Sequence, residues 1–408
     1  MRRLRVAVIV LGDLARSPRM LYHTRALADG VADVDLVGYV ETPLEELGDH
    51  VRVHALRTPA RIGRALFALR GLARVVRQTI ELVRTVLVRL DRFDVLLVQN
   101  PPALPTLLVG VVAARARGAR LVVDWHNFGW AMLAVKIGPD HVATRLARRV
   151  EHWLARRANA HLCVSRAMQS ELATRWGVPG AVVLHDRPAS QFVATPPDAR
   201  RALLARLHDA LRVPDLPGPP ALLVSPSSWT PDEDFGLLLE AAERYDAAIG
   251  SDATLPDLLV VATGDGPLRD HYAHAMSQRG LRRVHLRTLW LDAADYALLV
   301  GAADLGLCFH RSTSGVDLPM KIADFLGAGV PVCALDYGPC LGEVLEHGRN
   351  GLLFGTAEEL ARQLLELFRG WPAQAPLLAH LRENVGRATG ERWDDAWKAA
   401  ALPLFLAR

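Results

Sequence analysis

Residues 304–321 read DLGLCFHRSTSGVDLPMK. A short apolar run comes first, a cluster of hydroxyls and glycine follows, and Pro319 stands where a helix would open. Proline suits a first helical position, so the order is strand, turn, helix. A strand that feeds a helix is half of a βαβ unit and predicts a parallel sheet. Lys321 then falls in the first helical turn. A cation there is electrostatically misplaced unless it meets an anion that the helix N-terminus also binds, and a diphosphate fits that arrangement. Lys321 is one of three lysines among 48 basic residues, so arginine is expected to be unsuitable at this position.

The same alternation extends in both directions. Downstream and around this unit, strands are expected at 221–225, 257–263, 283–287, 304–309, 331–335 and 352–354. Helices are expected near 233–248, 267–279, 293–302, 319–328, 341–347 and 357–370. Upstream lies a second series, with strands at 5–11, 33–39, 51–56, 94–98, 120–124 and 160–164 and helices at 18–30, 62–90, 104–117 and 144–158. Two series predict an α/β chain of two doubly wound, Rossmann-like domains facing a cleft. Prolines 188, 196, 197, 214, 217, 219 and 220 punctuate the junction. The expected domains are 1–200 and 201–390, followed by a helix within 391–408. Trp393 and Trp397 share one face of that helix and need a surface, which packing back on the first domain supplies.

Composition narrows the function. The chain has 408 residues, 50% hydrophobic and 23% charged, which is globular rather than disordered. Four cysteines form no CxxC pair, so a disulfide framework or zinc ribbon is excluded and a reducing compartment is expected. A net charge of +4 is too small to argue for nucleic acid. The opening MRRLRVAVIVLGD reads as a first strand rather than a signal peptide. The uncharged run 95–114 contains Pro101, Pro102 and Pro105, which would break a spanning helix, so no transmembrane segment is expected. The histidines lack ligand spacing and no Asp-x-Asp closes a strand, so no metal is expected.

Ligands in such sheets sit outside the carboxyl ends of the strands. After the first strand come Gly12, Asp13, Arg16, Ser17, Pro18 and Arg19. Gly12 permits a tight turn, Ser17 can cap the next helix, and two arginines beside a helix start suit an anion. The GxGxxG pattern is absent, which argues against a nicotinamide cofactor. After 120–124 comes DWHNFGW, where Asp124 beside His126 offers a general base and the indoles of Trp125 and Trp130 suit sugar rings. Gly264 and Gly266 open the turn after 257–263 and let backbone N–H groups face a phosphate or base edge. Asp324, one turn beyond Lys321, is placed for a ribose hydroxyl pair.

The motifs LGDLARSPRM (11–20), QNPPALPTLLV (99–109), DWHNFGW (124–130), LCVSRAM (162–168), DRPAS (186–190), TPDEDFGLLL (230–239), TGDGPLR (263–269), AADLGLC (302–308) and TSGVDLPMK (313–321) resemble, in order, those of the chitobiosyldiphosphodolichol β-mannosyltransferase family. The resemblance covers roughly residues 5 to 370. It implies a GT-B fold and an inverting, metal-independent transfer of mannose from GDP-mannose to the second GlcNAc of a chitobiosyl lipid diphosphate, through a β-1,4 bond. Eukaryotic members carry an N-terminal membrane anchor, whereas this chain is expected to begin at its first strand. Retaining GT-B enzymes usually place an Arg and a Lys before the helix at 233–248; alignment puts Ser228 and Glu233 there, and Val316 and Asp324 where their two glutamates stand. That departure favours the inverting family.

The expected catalytic residues are therefore Asp13, Asp124 and His126, with His126 holding the donor sugar as the alternative. The expected donor-binding set is Gly12, Arg16, Arg19, Gly264, Gly266, Ser314, Gly315, Asp317, Leu318, Met320, Lys321 and Asp324. Asn100, Trp125, Asn127 and Trp130 are expected on the acceptor, a polyprenyl-diphosphate-linked GlcNAc. Residues 61–90 carry Arg61, Arg64, Arg70, Arg74, Arg77, Arg84 and Arg89 against one acid, Glu81. Such a basic amphipathic helix suits an anionic bilayer, which predicts a cytoplasmic protein peripheral on the inner face of the membrane. The rival readings are a retaining GT-B transferase using a GDP- or UDP-sugar, and a non-catalytic nucleotide-sugar or lipid-binding scaffold.

Overall fold

Val6 to Val10, in the middle of strand Leu4–Asp13 (β1), are at most 1% exposed. A run buried on both faces belongs at the centre of a parallel sheet. β1 sits there, in a seven-stranded sheet of order β3-β2-β1-β4-β5-β6-β7. The other strands are Ala32–Tyr39 (β2), Val51–Ala55 (β3), Val95–Asn100 (β4), Arg120–Trp125 (β5), Ala160–Cys163 (β6) and Val182–Val183 (β7). Every pairing is parallel. This is a computed structural model, and it describes residues 2–58, 67–212, 216, 218–250, 252, 254–388 and 392–407.

The second sheet has six strands in the order β10-β9-β8-β11-β12-β13. They are Ala221–Pro226 (β8), Leu258–Thr263 (β9), Val284–Leu289 (β10), Leu305–Cys308 (β11), Val332–Leu335 (β12) and Gly351–Phe354 (β13), again all parallel. Each order reverses beside its central strand, at β1/β4 and at β8/β11, the kind of switch point where the following turns diverge and admit ligands. The chain divides into two compact units, Met1–Asp186 with Trp393–Arg408, and Arg187–Arg392.

Three expected helices differ. Of the helix at 62–90, residues 62–66 lie outside the described residues; Phe67–Arg84 is helical and a wider turn, Thr85–Arg89, continues it. Leu82 and Val86 are buried, so the far end of this helix packs into its own unit. The stretch 341–347 forms only a short 3-10 turn, Pro339–Glu343. The last helix is two, Trp393–Ala400 and Leu402–Leu406, because Pro403 has no N–H to continue the ladder. Trp393 and Trp397 are buried against helix Pro18–Gly30, with the Trp393 ring 5.5 Å from Tyr22 and 5.2 Å from His23. Among the described residues no helix is long and apolar enough to cross a membrane.

Candidate active site

Asp124, next to last in β5, is fully buried and accepts four hydrogen bonds. Its Oδ2 accepts from Arg19 Nε (2.8 Å), His23 Nε2 (3.1 Å) and His126 Nε2 (2.7 Å), and its Oδ1 from Arg19 Nη2 (2.9 Å). Burial alone would raise this carboxyl; the Arg19 guanidinium and the donated imidazole N–H groups outweigh it and hold it well below the usual carboxylate range. Asp124 is thus a fixed anion rather than a proton acceptor. An ionised carboxylate only accepts, so the bonded Nε2 of His126 carries hydrogen and Nδ1 is the basic nitrogen of the neutral ring. The His126 side chain is 22% exposed and can reach a substrate. This is the geometry of a general base oriented by a buried acid.

The neighbouring polar residues hold the loop. Asn100 is fully buried; its Nδ2 donates to the Asn127 carbonyl (3.0 Å) and to Glu151 (2.8 Å). Glu151 accepts from the N–H groups of Gly129 (2.8 Å) and Trp130 (2.9 Å), so a carboxylate from another helix caps Gly129–Ile137. Burial pushes the Glu151 carboxyl up against those bonds. Trp125 is not on the surface as expected: it is fully buried against Phe128 and Trp176, with Nε1 donating to His161 (3.1 Å). It points to the core face of the sheet because strand residues alternate sides, and Asp124 takes the other. Asn127 accepts from the Phe128 N–H (2.7 Å). Trp130 is half-buried, with Arg148 4.7 Å over its ring.

The turn after β1 also departs from expectation. Arg19 is 1% exposed, spent on Asp124, Asp186 (2.8 Å) and the Leu184 carbonyl (2.9 Å). It faces acids of its own unit rather than an anionic ligand. Ser17 makes no side-chain cap; its hydroxyl donates to the Asp13 carbonyl (3.1 Å). Asp13 accepts from Thr42 Oγ1 (2.7 Å) and the Glu41 N–H (3.2 Å), tying two loops together. Space does not require glycine at Gly12: the nearest neighbours of an added Cβ, the Ser17 hydroxyl and a Val10 methyl, would be at 3.9 Å. Arg16 is exposed, 3.8 Å from Asp13.

In the second unit, the Lys321 ammonium donates to the Pro226 carbonyl (2.8 Å) and to Glu233, which also accepts from Ser227 Oγ (2.7 Å) and the Ser228 N–H (2.8 Å). Burial disfavours both charges, yet each holds the other: Lys321 is pushed up and Glu233 down. Two of three ammonium hydrogens are used, which leaves one for a ligand. His310 lies between Asp232 (3.2 Å) and Asp317 (3.1 Å). Burial would lower the ring, but hydrogen bonds to the two carboxylates raise it to about 9, so it is a cation at neutral pH. Asp317 also accepts from Ser312 and Ser314 (3.1 Å), and Ser312 Oγ accepts from the Gly315 N–H (2.7 Å), which folds the loop before helix Met320–Gly327. Leu318 is buried and Met320 partly so. Tyr296 donates to Asp324 (3.3 Å). Gly264 and Gly266 are required by the protein's own backbone: a Cβ would stand 1.9 Å from the Ser227 carbonyl and 1.8 Å from that of Ser228.

Sequence reasoning missed Glu151, His23, His310 and Asp232 as site residues, although Ser314 and Asp317 of the same cluster were expected. Glu151 left a signal, as the one acid of helix Val142–Ala155. Among the described residues no group of three His, Cys, Asp or Glu side chains is placed to hold a metal ion.

A family model described as glycosyl transferase 4-like domain matches residues 17–187, and one described as glycosyl transferases group 1 matches 221–369. The chitobiosyldiphosphodolichol beta-mannosyltransferase of Mus musculus is 40% identical over 98% of this chain and 89% of its own. UDP-glycosyltransferase TURAN of Arabidopsis thaliana is 38% identical over 99% of this chain and 97% of its own. Among solved structures, Anabaena Alr3699/HepE in complex with UDP and glucose matches with a TM-score of 0.67 at 20% identity, covering 98% of both chains.

Proposed function

The chain belongs to the chitobiosyldiphosphodolichol β-mannosyltransferase family, with the two parallel-sheet units of a GT-B glycosyltransferase, and on that footing we propose that it transfers mannose from GDP-mannose to the terminal GlcNAc of a chitobiosyl-like polyprenyl diphosphate, making a β-1,4 bond with inversion. The observation that carries the chemistry is the Asp124–His126 pair. Nδ1 of His126 takes the proton of the acceptor hydroxyl as that oxygen attacks C1 of mannose. The bond from C1 to the phosphate oxygen breaks on the opposite face, and GDP leaves with that electron pair. Asp124 stays ionised and stabilises the imidazolium. A positioned base of this kind contributes about 10²–10⁴-fold.

Charge on the departing diphosphate is met by Lys321, by cationic His310 and by the N–H groups opening Met320–Gly327. These groups supply the compensation a metal would otherwise give, so the reaction is read as metal-independent. The lipid acceptor puts the protein on the cytoplasmic, inner face of a membrane, peripherally, through residues 61–90. A UDP-sugar donor is the second reading, favoured by the name of the Arabidopsis relative; in its retaining form His126 would hold the donor sugar.

The test is incubation of the purified chain, with and without EDTA, with a panel of GDP- and UDP-sugars and a lipid-linked chitobiose, followed by mass spectrometry and NMR of the new anomeric proton. A β-mannoside formed from GDP-mannose in both conditions is the expected result. Transfer only from a UDP-sugar, an α-product, or full loss in EDTA restored by magnesium would overturn the reading.

A further inference from the structure

Helix Gly129–Ile137, GWAMLAVKI, is apolar around most of its circumference, yet only Ala131 is buried. Met132, Val135 and Ile137 are 43%, 58% and 40% exposed. A helix that shows this much apolar surface to water needs a cover. A groove of roughly 580 Å³ runs along it, walled by Trp130, Met132 and Leu133 and by Pro101, Pro102 and Leu104. That volume falls in the range of about 300–1,000 Å³ usual for small-molecule sites.

Three features say what the groove takes. It lies near the loop of the candidate base: Gln99 and Gly129 line it, and Asn100, next to Gln99, accepts the His126 N–H through its carbonyl (2.8 Å). Its cations are peripheral: Lys136 lines it and Arg148 lies over the Trp130 ring. Two polar atoms of the lining, Gln99 Oε1 and Trp130 Nε1, are buried without a hydrogen-bond partner, which marks a place for a bound polar group. An apolar trough with cations at its rim, near the loop that carries the base, matches a lipid whose chain is joined to a sugar through a diphosphate.

We propose that this groove binds the first isoprene units of the acceptor, with Lys136 and Arg148 on its diphosphate. The proposal rests on the lipid-linked acceptor argued above. It assigns the chain-binding role to residues 101–104 and 130–136 of the first unit, which share the groove with Val75 of helix Phe67–Arg84.

Farnesyl diphosphate, a short soluble probe, tests it on the full chain by calorimetry without nucleotide. Wild type should bind farnesyl diphosphate roughly tenfold or more tightly than inorganic diphosphate or farnesol. Leu104→Glu and Met132→Glu alter exposed side chains and should keep the melting temperature while weakening binding by roughly tenfold. Lys136→Gln with Arg148→Gln should weaken farnesyl diphosphate but not farnesol. Equal binding by the glutamate variants, or equal affinity for inorganic diphosphate, would overturn the groove. Binding to anionic vesicles with none to monomeric farnesyl diphosphate would also overturn it and make this face a bilayer contact. Mannosyl transfer is scored separately: binding as expected without transfer to any lipid-linked acceptor keeps the groove and defeats the proposed function.

Discussion

The indole Nε1 of Trp397 donates to Nδ1 of His23 at 2.8 Å, across 374 residues of sequence. Indole can only donate, so Nδ1 must be a bare lone pair. His23 is fully buried and burial pushes its ring down, so it is neutral and carries its hydrogen on Nε2, the atom that faces Asp124. The C-terminal helix thereby sets the tautomer of a residue that orients the same carboxylate as His126. Trp397→Phe keeps an aromatic ring but removes the N–H and part of the indole's volume, leaving Nδ1 unpaired. It should cost about 1–3 kcal/mol of stability. Unchanged thermal unfolding would show that the bond contributes nothing.

The three expected catalytic residues now separate. His126→Ala should lower kcat by about 10²–10⁴-fold with GDP binding retained in calorimetry. Asp124→Asn should fail more broadly, because it leaves buried Arg19 short of a counter-charge, a loss of about 3–5 kcal/mol. Asp13→Asn disturbs the tie to Glu41 and Thr42 and the exposed pair with Arg16, and should keep most turnover. Full activity in His126→Ala would move the base elsewhere.

Lys321→Ala strands Glu233 in the interior and should lower the melting temperature as well as activity. The double variant Lys321→Met, Glu233→Gln removes both charges and should recover most of the stability while donor turnover stays lost. Lys321→Arg should also raise the donor KM, because a planar fork does not reproduce the point charge that meets Glu233 and the Pro226 carbonyl. Recovery of turnover in the double variant would refute the role at the diphosphate.

His310 gives a pH dependence with a definite sign. Its folded pKa of about 9 lies above the ordinary imidazole value of about 6.5, so the folded chain binds the extra proton more tightly. The stabilisation is complete below about pH 6.5 and fades as pH rises through about 9. Urea unfolding of wild type and His310→Gln should therefore differ most near pH 6 and converge above pH 9. A difference that stays constant across that window would contradict the paired-cation geometry with Asp232 and Asp317.

The membrane expectation for 61–90 can be read by flotation. Arg77 and Arg84 are exposed beside exposed Val76 and Ile80, and a basic residue near an anionic surface is worth ~1 kcal/mol. Binding to anionic liposomes should weaken with salt and fall when Arg70, Arg74 and Arg77 become Gln. Equal flotation of that triple variant would leave the helix as plain structure.

Most strands were legible in the sequence because burial on both faces writes an unbroken apolar run, as in Val6 to Val10 or Leu305 to Cys308. Only β7 escaped, since two residues, Val182 and Val183, are too short for any pattern. The strand-to-helix junctions around Asp124, His126 and Lys321 were legible for the same reason: in a parallel sheet, polar residues at and just past a strand's end mark its open edge. What each of those side chains touches was decided only by the tertiary structure. Asp124 meets Arg19 and His23 because strand order sets β5 two places from β1, and crossover connections are not encoded in any local period. Trp125, one residue on, goes to the core instead of a sugar. Glu233 and Lys321 lie 88 residues apart, and burial makes each charge depend on the other, so neither could be read alone.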